Sequence, residues 1–258
     1  MMKKLMILVF ALGGLMTAEA QTGGISQEML QEIQKAQQPT NKALSNAIAG
    51  LSIDALAKNY QLAAKPLDTQ FTIETKKQSI TNQKSSGRCW MFSGLNVLRS
   101  NFTSQADSIS IEFSQDYLFF WDQLEKANLM LQGVIDTAKE PIDNQRVQFF
   151  FKSPIGDGGT FCGVADLAPK YGIVPSEIQP ETFTSENTSR ARSLIASKLR
   201  EFGLQLRDMV AKKQSQAAIN KAKTKMLSEI YGMLQMTLGE PVKTFTYAFK
   251  DKNAPLCA

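Results

Sequence analysis

The chain has 258 residues, 43% of them apolar and 21% charged, with a formal net charge of +5. That length allows one large domain or two small ones, and the apolar share excludes a disordered protein. Lys and Arg are interleaved with Asp and Glu, with no basic stripe punctuated by aromatics. A solvated basic surface is therefore expected and nucleic-acid binding is not.

Taken in order, Lys3 and Lys4 precede an apolar run from Leu5 to Met16, and Ala18-Glu19-Ala20 has the form of a small-residue cleavage site. The run is too short to cross a bilayer, which needs roughly 20 apolar residues. It predicts a signal peptide over 1–20 and a mature protein over 21–258, exported to the periplasm or the extracellular space, with no membrane association after cleavage. From Ser26 to Lys65, Met29, Leu30, Ile33, Leu44, Ile48, Leu51 and Leu56 predict two or three short helices broken at Pro39 and Gly50 and ended by Pro66. Phe71 to Thr75 alternates and predicts a short strand.

The stretch from Thr81 to Ser93 is a polar loop, rich in the turn formers Asn82, Ser85, Ser86 and Gly87, that runs into an apolar segment. Met91, Phe92, Leu95 and Leu98 recur at helical spacing, which puts Cys89 in the first turn of a helix. Unpaired N–H groups and the positive end of the helix dipole favour thiolate over thiol at such a position. Gln83, six residues upstream, is an amide donor that a tight loop can fold back toward a developing oxyanion.

After a loop over Ser108 to Glu112, Ser114 is the N-cap of a long helix through Tyr117, Leu118, Trp121, Leu124 and Leu131. Its aromatics read as core against the Cys89 helix. Ser153 to Thr160 is a Gly-rich turn, and its Gly158-Gly159 pair suits either an ordinary loop or a close backbone approach. A helix near Phe161 to Tyr171 stops at Gly172 and Pro175, with Cys162 at its start, expected to be buried and inert. Two antiparallel helices follow over Ser185 to Met236. Leu194, Leu199, Phe202, Leu206 and Val210 mark the core face of the first, and Ala217, Ala218, Met226, Ile230, Leu234 and Leu238 that of the second. The charged segment Ala211 to Lys225 reads as a solvated face, and Val242 to Phe249 alternates like a strand.

Cys89, Cys162 and Cys257 are the three cysteines, an odd number that cannot form a complete disulfide framework, and there is no histidine. The octapeptide Gln83-Lys84-Ser85-Ser86-Gly87-Arg88-Cys89-Trp90 nevertheless resembles the papain superfamily, in its bleomycin hydrolase and aminopeptidase C branch. Ser86 stands where most secreted papain-like enzymes carry a disulfide cysteine, as that branch does. Phe113 to Asp122 and the Asn46-Ala47 pair resemble it too.

The resemblance implies an α+β papain-like fold, mainly its helical lobe, with the β-rich second lobe largely missing and 185–239 as a helical hairpin insertion. It implies a cysteine aminopeptidase with Cys89 as nucleophile and Gln83 as oxyanion donor, Gly158 and Gly159 meeting the substrate backbone, and no metal or cofactor. The partners it implies are peptide substrates and copies of the same chain, the family forming a ring-shaped hexamer. Its base histidine and orienting asparagine belong to a downstream half that this sequence does not reach. The chain alone is thus expected to be inactive, and the alternative of a remnant or a secreted helical binding module stands beside the peptidase reading.

Overall fold

The computed structural model describes residues 24–75, 77–105, 110–251 and 254–257. The expected signal peptide lies outside them, as do residues 108 and 109 of the expected 108–112 loop. The chain divides into two units, 1–70 and 71–258.

Among its described residues the first unit holds four short helices, α1 (Gln27–Lys35), α2 (Lys42–Gly50), α3 (Ile53–Ala57) and α4 (Tyr60–Ala63), where the apolar spacing predicts two or three. Each begins at a polar N-cap: the side chains of Ser26, Asn41, Ser52 and Asn59 accept backbone N–H groups of the following turn. None of the four buries a residue. Local capping, not a core, specifies these helices, which is why more of them form than the apolar pattern marks.

The second unit is built around α6 (Gln115–Asp136), against which α5 (Cys89–Gln105), α7 (Gln145–Lys152), α8 (Phe161–Tyr171), α10 (Ser189–Ala211) and α11 (Gln216–Leu238) all pack. Neighbours on several sides explain the composition of α6, where Leu118, Phe120, Ala127 and Leu131 are fully buried. Ser114 caps it, accepting from the Tyr117 N–H at 3.0 Å. Short α9 (Phe183–Glu186) precedes α10, and a two-stranded antiparallel ribbon, β1 (Phe249–Asp251) with β2 (Ala254–Cys257), ends the described chain.

Several expectations are corrected here. No strand forms over 71–75. Instead the segment just after it is fastened along one face of α5: Gln78 Nε2 donates to Thr103 Oγ1 (2.7 Å), Arg99 to the Ser79 carbonyl (2.7 Å) and Asn96 to Thr81 Oγ1 (2.8 Å). Residues 96, 99 and 103 share that face by helical spacing, and side-chain bonds take the place of a ladder.

Likewise 242–248 is irregular, and pairing begins only at Phe249, where a partner strand is present. Alternation without a neighbour does not make a strand. On α10 the buried line is Ile195, Leu199, Phe202 and Leu206, and Leu194 points outward. On α11, Ile219 begins the buried line and Ala217 is exposed. Cys162 is exposed, not buried. The face that α8 buries carries Val164 and Leu167, and residue 162 lies about 200° around the helix from 164.

Candidate active site

Cys89 is the first residue of α5 and is exposed. The loop before it is locked by reciprocal bonds. Gln83 Nε2 donates to the Ser86 carbonyl (2.6 Å), and the Ser86 hydroxyl donates back to the Gln83 carbonyl (2.6 Å). Lys84 sits at a positive φ of 53°, and its N–H donates to Asn82 Oδ1 (2.8 Å), which tightens the turn. The Ser85 N–H donates to the Glu186 carbonyl (2.9 Å), joining the loop to the end of α9. A primary amide carries two N–H donors, so the bond to Ser86 orients Gln83 and leaves a second donor on the same nitrogen.

On either side of Cys89 the chain is held from elsewhere. Arg88 is fully buried and makes a bidentate pair with Glu181 (3.0 and 2.7 Å), with its guanidinium over the rings of Phe92 and Phe119. Its Nε donates to the Ser86 hydroxyl (3.0 Å), so the same serine that locks Gln83 also receives Arg88. Trp90 Nε1 donates to the Asp157 carbonyl (2.9 Å), and the Gly87 N–H to Asp157 Oδ2 (2.7 Å). The Asp157 carboxylate also accepts from Thr188 Oγ1 (2.6 Å) and Arg192 (2.7 Å). Burial raises the proton affinity of Asp157, but the bonds from Thr188 and the Gly87 N–H outweigh it and hold the carboxyl below its ordinary range.

Behind Arg88 lies a second buried carboxyl, Asp116 at the start of α6. Gln179 Nε2 donates to its Oδ2 (2.9 Å), and its Oδ1 has no partner among the described residues. Burial, reinforced by nearby Glu181 and opposed by Gln179, pushes its pKa up to about 7.

The glycine pair lies beside the residue that follows Cys89. A Cβ at Gly159 would sit 2.5 Å from the Trp90 indole, whereas one at Gly158 would meet nothing within 4 Å. Neither has a positive φ. What Gly159 supplies is room for the indole, and Gly158 is an open, exposed backbone. Lys126 on α6 braces this loop: its ammonium donates to the Gly158 carbonyl (2.7 Å), the Gly156 carbonyl (3.1 Å) and Asp122 (2.7 Å), and lies over the Trp90 ring.

The structure thus brings Gln83, Cys89 and the 158–159 segment into one arrangement around the start of α5. Asp157, Lys126, Glu181 and Thr188, which hold that arrangement, escaped the sequence reading. Asp157 stands directly before the glycine pair and was the one legible signal among them, as the single charged residue of the Gly-rich turn over Ser153 to Thr160.

The model of the peptidase C1-like family matches residues 24–256. The chain belongs to that family. Relatives in the peptidase C1-like family include aminopeptidase G of Lactobacillus delbrueckii subsp. lactis, 39% identical over 215 residues, which are 83% of this chain and 49% of the relative. Human bleomycin hydrolase is 40% identical over 186 residues, 71% of this chain and 41% of that protein. Among solved structures, PepW of Lactobacillus rhamnosis HN001 superposes with a TM-score of 0.82 at 37% identity, over 91% of this chain and 53% of that one. The fold is that of a papain-like peptidase, mostly helical, and the chain spans about half the length of each of these relatives.

Proposed function

We propose that this chain carries the nucleophile of a cysteine-type aminopeptidase. The observation that supports it is the environment of Cys89: an exposed thiol at a helix start whose neighbours Gly87, Arg88 and Trp90 each make a tertiary hydrogen bond. In the chemistry proposed, the Cys89 thiolate attacks a peptide carbonyl carbon. The electron pair moves to the carbonyl oxygen, which accepts from the free Gln83 N–H and the Cys89 backbone N–H. Gly158, open and exposed, pairs with the substrate backbone, and Gly159 keeps Trp90 seated beside it. The names of the relatives support peptide bonds as the target.

Collapse of the tetrahedral species requires a proton for the departing amine, and the 258 residues contain no histidine. A base and acid from outside these residues are needed for turnover. Loss of a group that acts together with a nucleophile costs on the order of 10³ to 10⁶ in rate. The purified chain should therefore be alkylated at Cys89 yet hydrolyse aminoacyl fluorogenic substrates negligibly. Robust hydrolysis that Cys89→Ser abolishes would overturn the inactivity; failure of Cys89 to react with a thiol reagent would overturn the nucleophile. The absence of histidine also supports a second reading, a remnant or a helical binding module, for which Cys89→Ser should leave binding intact.

We further propose export with cleavage after Ala20, and assembly into a homo-oligomer. N-terminal sequencing of protein from a periplasmic or culture fraction should begin at Gln21, and an unprocessed Met1 there would refute it.

A further inference from the structure

We propose that Asp157 is the positioning residue for the Cys89 thiol, gripping the chain on both sides of it from a single point in the 153–160 loop. The inference rests on the reading of Cys89 as nucleophile. Asp157 uses its side chain on one flank and its main chain on the other: Oδ2 accepts the Gly87 N–H at 2.7 Å, and the carbonyl accepts Trp90 Nε1 at 2.9 Å. Only Arg88 and Cys89 lie between those two bonds, and Arg88 is itself held by Glu181. The thiol is left exposed on a segment that cannot slide or rotate.

Two further features are built around the carboxylate. A Cβ at Gly87 would fall 2.7 Å from Asp157 Oδ1, so the glycine before Arg88 is the residue that lets the carboxylate approach the backbone. Thr188 occupies the N-cap of α10 but makes no cap bond there; its hydroxyl donates to Asp157 Oδ2 at 2.6 Å instead. With Arg192 on Oδ1 (2.7 Å), α10 fixes the orientation of a carboxylate that in turn fixes the start of α5. The negative charge is shared among these donors, and Asp157 is 7% exposed, so its task is geometric. Positioning matters because a misplacement of about 1 Å can cost on the order of 100-fold in rate.

Cys162 provides an internal reference. It is also exposed and also near a helix start, but it lies on α8, which is set against α5 by the contact of Gly94 with Val164. The experiment labels the full chain with limiting iodoacetamide at pH 7.5 and follows Cys89 and Cys162 separately by peptide mass spectrometry. In Asp157→Asn, one bond to Gly87, Thr188 or Arg192 must be lost, because an amide nitrogen cannot accept. The Cys89-to-Cys162 rate ratio should fall by on the order of tenfold.

Thr188→Val should lower the ratio in the same direction, and Thr188→Ser, which keeps the hydroxyl, should restore it. A ratio that stays constant or rises in Asp157→Asn and Thr188→Val overturns the proposal, as does an equal loss at both cysteines, which marks general loosening. Should Cys89 in the unaltered chain react no faster than Cys162, the reading of Cys89 as an activated nucleophile fails. The response of the ratio to the two Thr188 variants still decides whether Asp157 positions it.

Discussion

Asp116 offers a quantitative test of how the buried charges behind the candidate site act. Its carboxyl is inaccessible, has one oxygen without a partner among the described residues and lies near Glu181, so ionising it in the folded protein is costly. The gap between its ordinary value of 3.8 and about 7 corresponds to about 4 kcal/mol, at roughly 1.4 kcal/mol per tenfold in proton affinity. Below pH 4 the group is protonated in both folded and unfolded chains. Between about 4 and 7 the unfolded chain releases the proton and the folded protein retains it, so stability falls as pH rises. Above 7 the whole penalty stands.

Asp116→Asn cannot ionise and removes that dependence. Its added amide hydrogens find no partner near Oδ1, a cost of about 1–3 kcal/mol that does not vary with pH. Urea unfolding of both proteins at pH 4, 5.5, 7 and 8 should show the stability of Asp116→Asn relative to wild type climbing with pH, by up to about 4 kcal/mol, and levelling above 7. A difference that is flat across this range, or that falls, would refute the reasoning.

Gly159→Ala should displace the Trp90 indole and cost about 1–3 kcal/mol, while Gly158→Ala, in open space, should leave thermal unfolding unchanged; equal effects on the melting temperature would contradict the close-approach reading. Glu181→Ala strips the carboxylate from fully buried Arg88, and breaking such a pair costs about 3–5 kcal/mol; a loss under 1 kcal/mol in chemical denaturation would mean the pair carries little. Burial raises the proton affinity of Asp122, and Lys126 opposes it. Lys126→Met should therefore destabilise more at pH 8 than at pH 5, since the buried carboxylate, left with the Gln123 amide but no ammonium, is disfavoured only when ionised, and a larger loss at the acidic end would sink that account.

Local signals in the chain determined much of this outcome. The turn formers before Cys89 and the helical spacing after it mark a thiol at a helix start, Ser114 marks the start of α6, and Gly172 marks the end of α8. Each is a short-range effect of capping or periodicity, readable from a few neighbouring residues. The octapeptide ending in Trp90 was specific enough to mark the family.

What surrounds the thiol was decided by tertiary contacts. Asp157 lies 70 residues from Gly87, and Glu181 lies 93 from Arg88. No local pattern announces which carboxylate a buried guanidinium or a loop N–H will find. The same reason accounts for the misread strands and cysteine. Alternation over 71–75 and 242–248 describes only a possible face, and strand formation needs a partner ladder; the segment after the first is held by α5 side chains instead. Cys162 looks like a small buried residue until the packing of α8 on Val164 and Leu167 turns it toward solvent. Sequence determined where the reactive residue and the helix ends lie, because those depend on backbone and near neighbours. Only the fold decided what holds that residue still, because those bonds join groups that meet after the helices have packed.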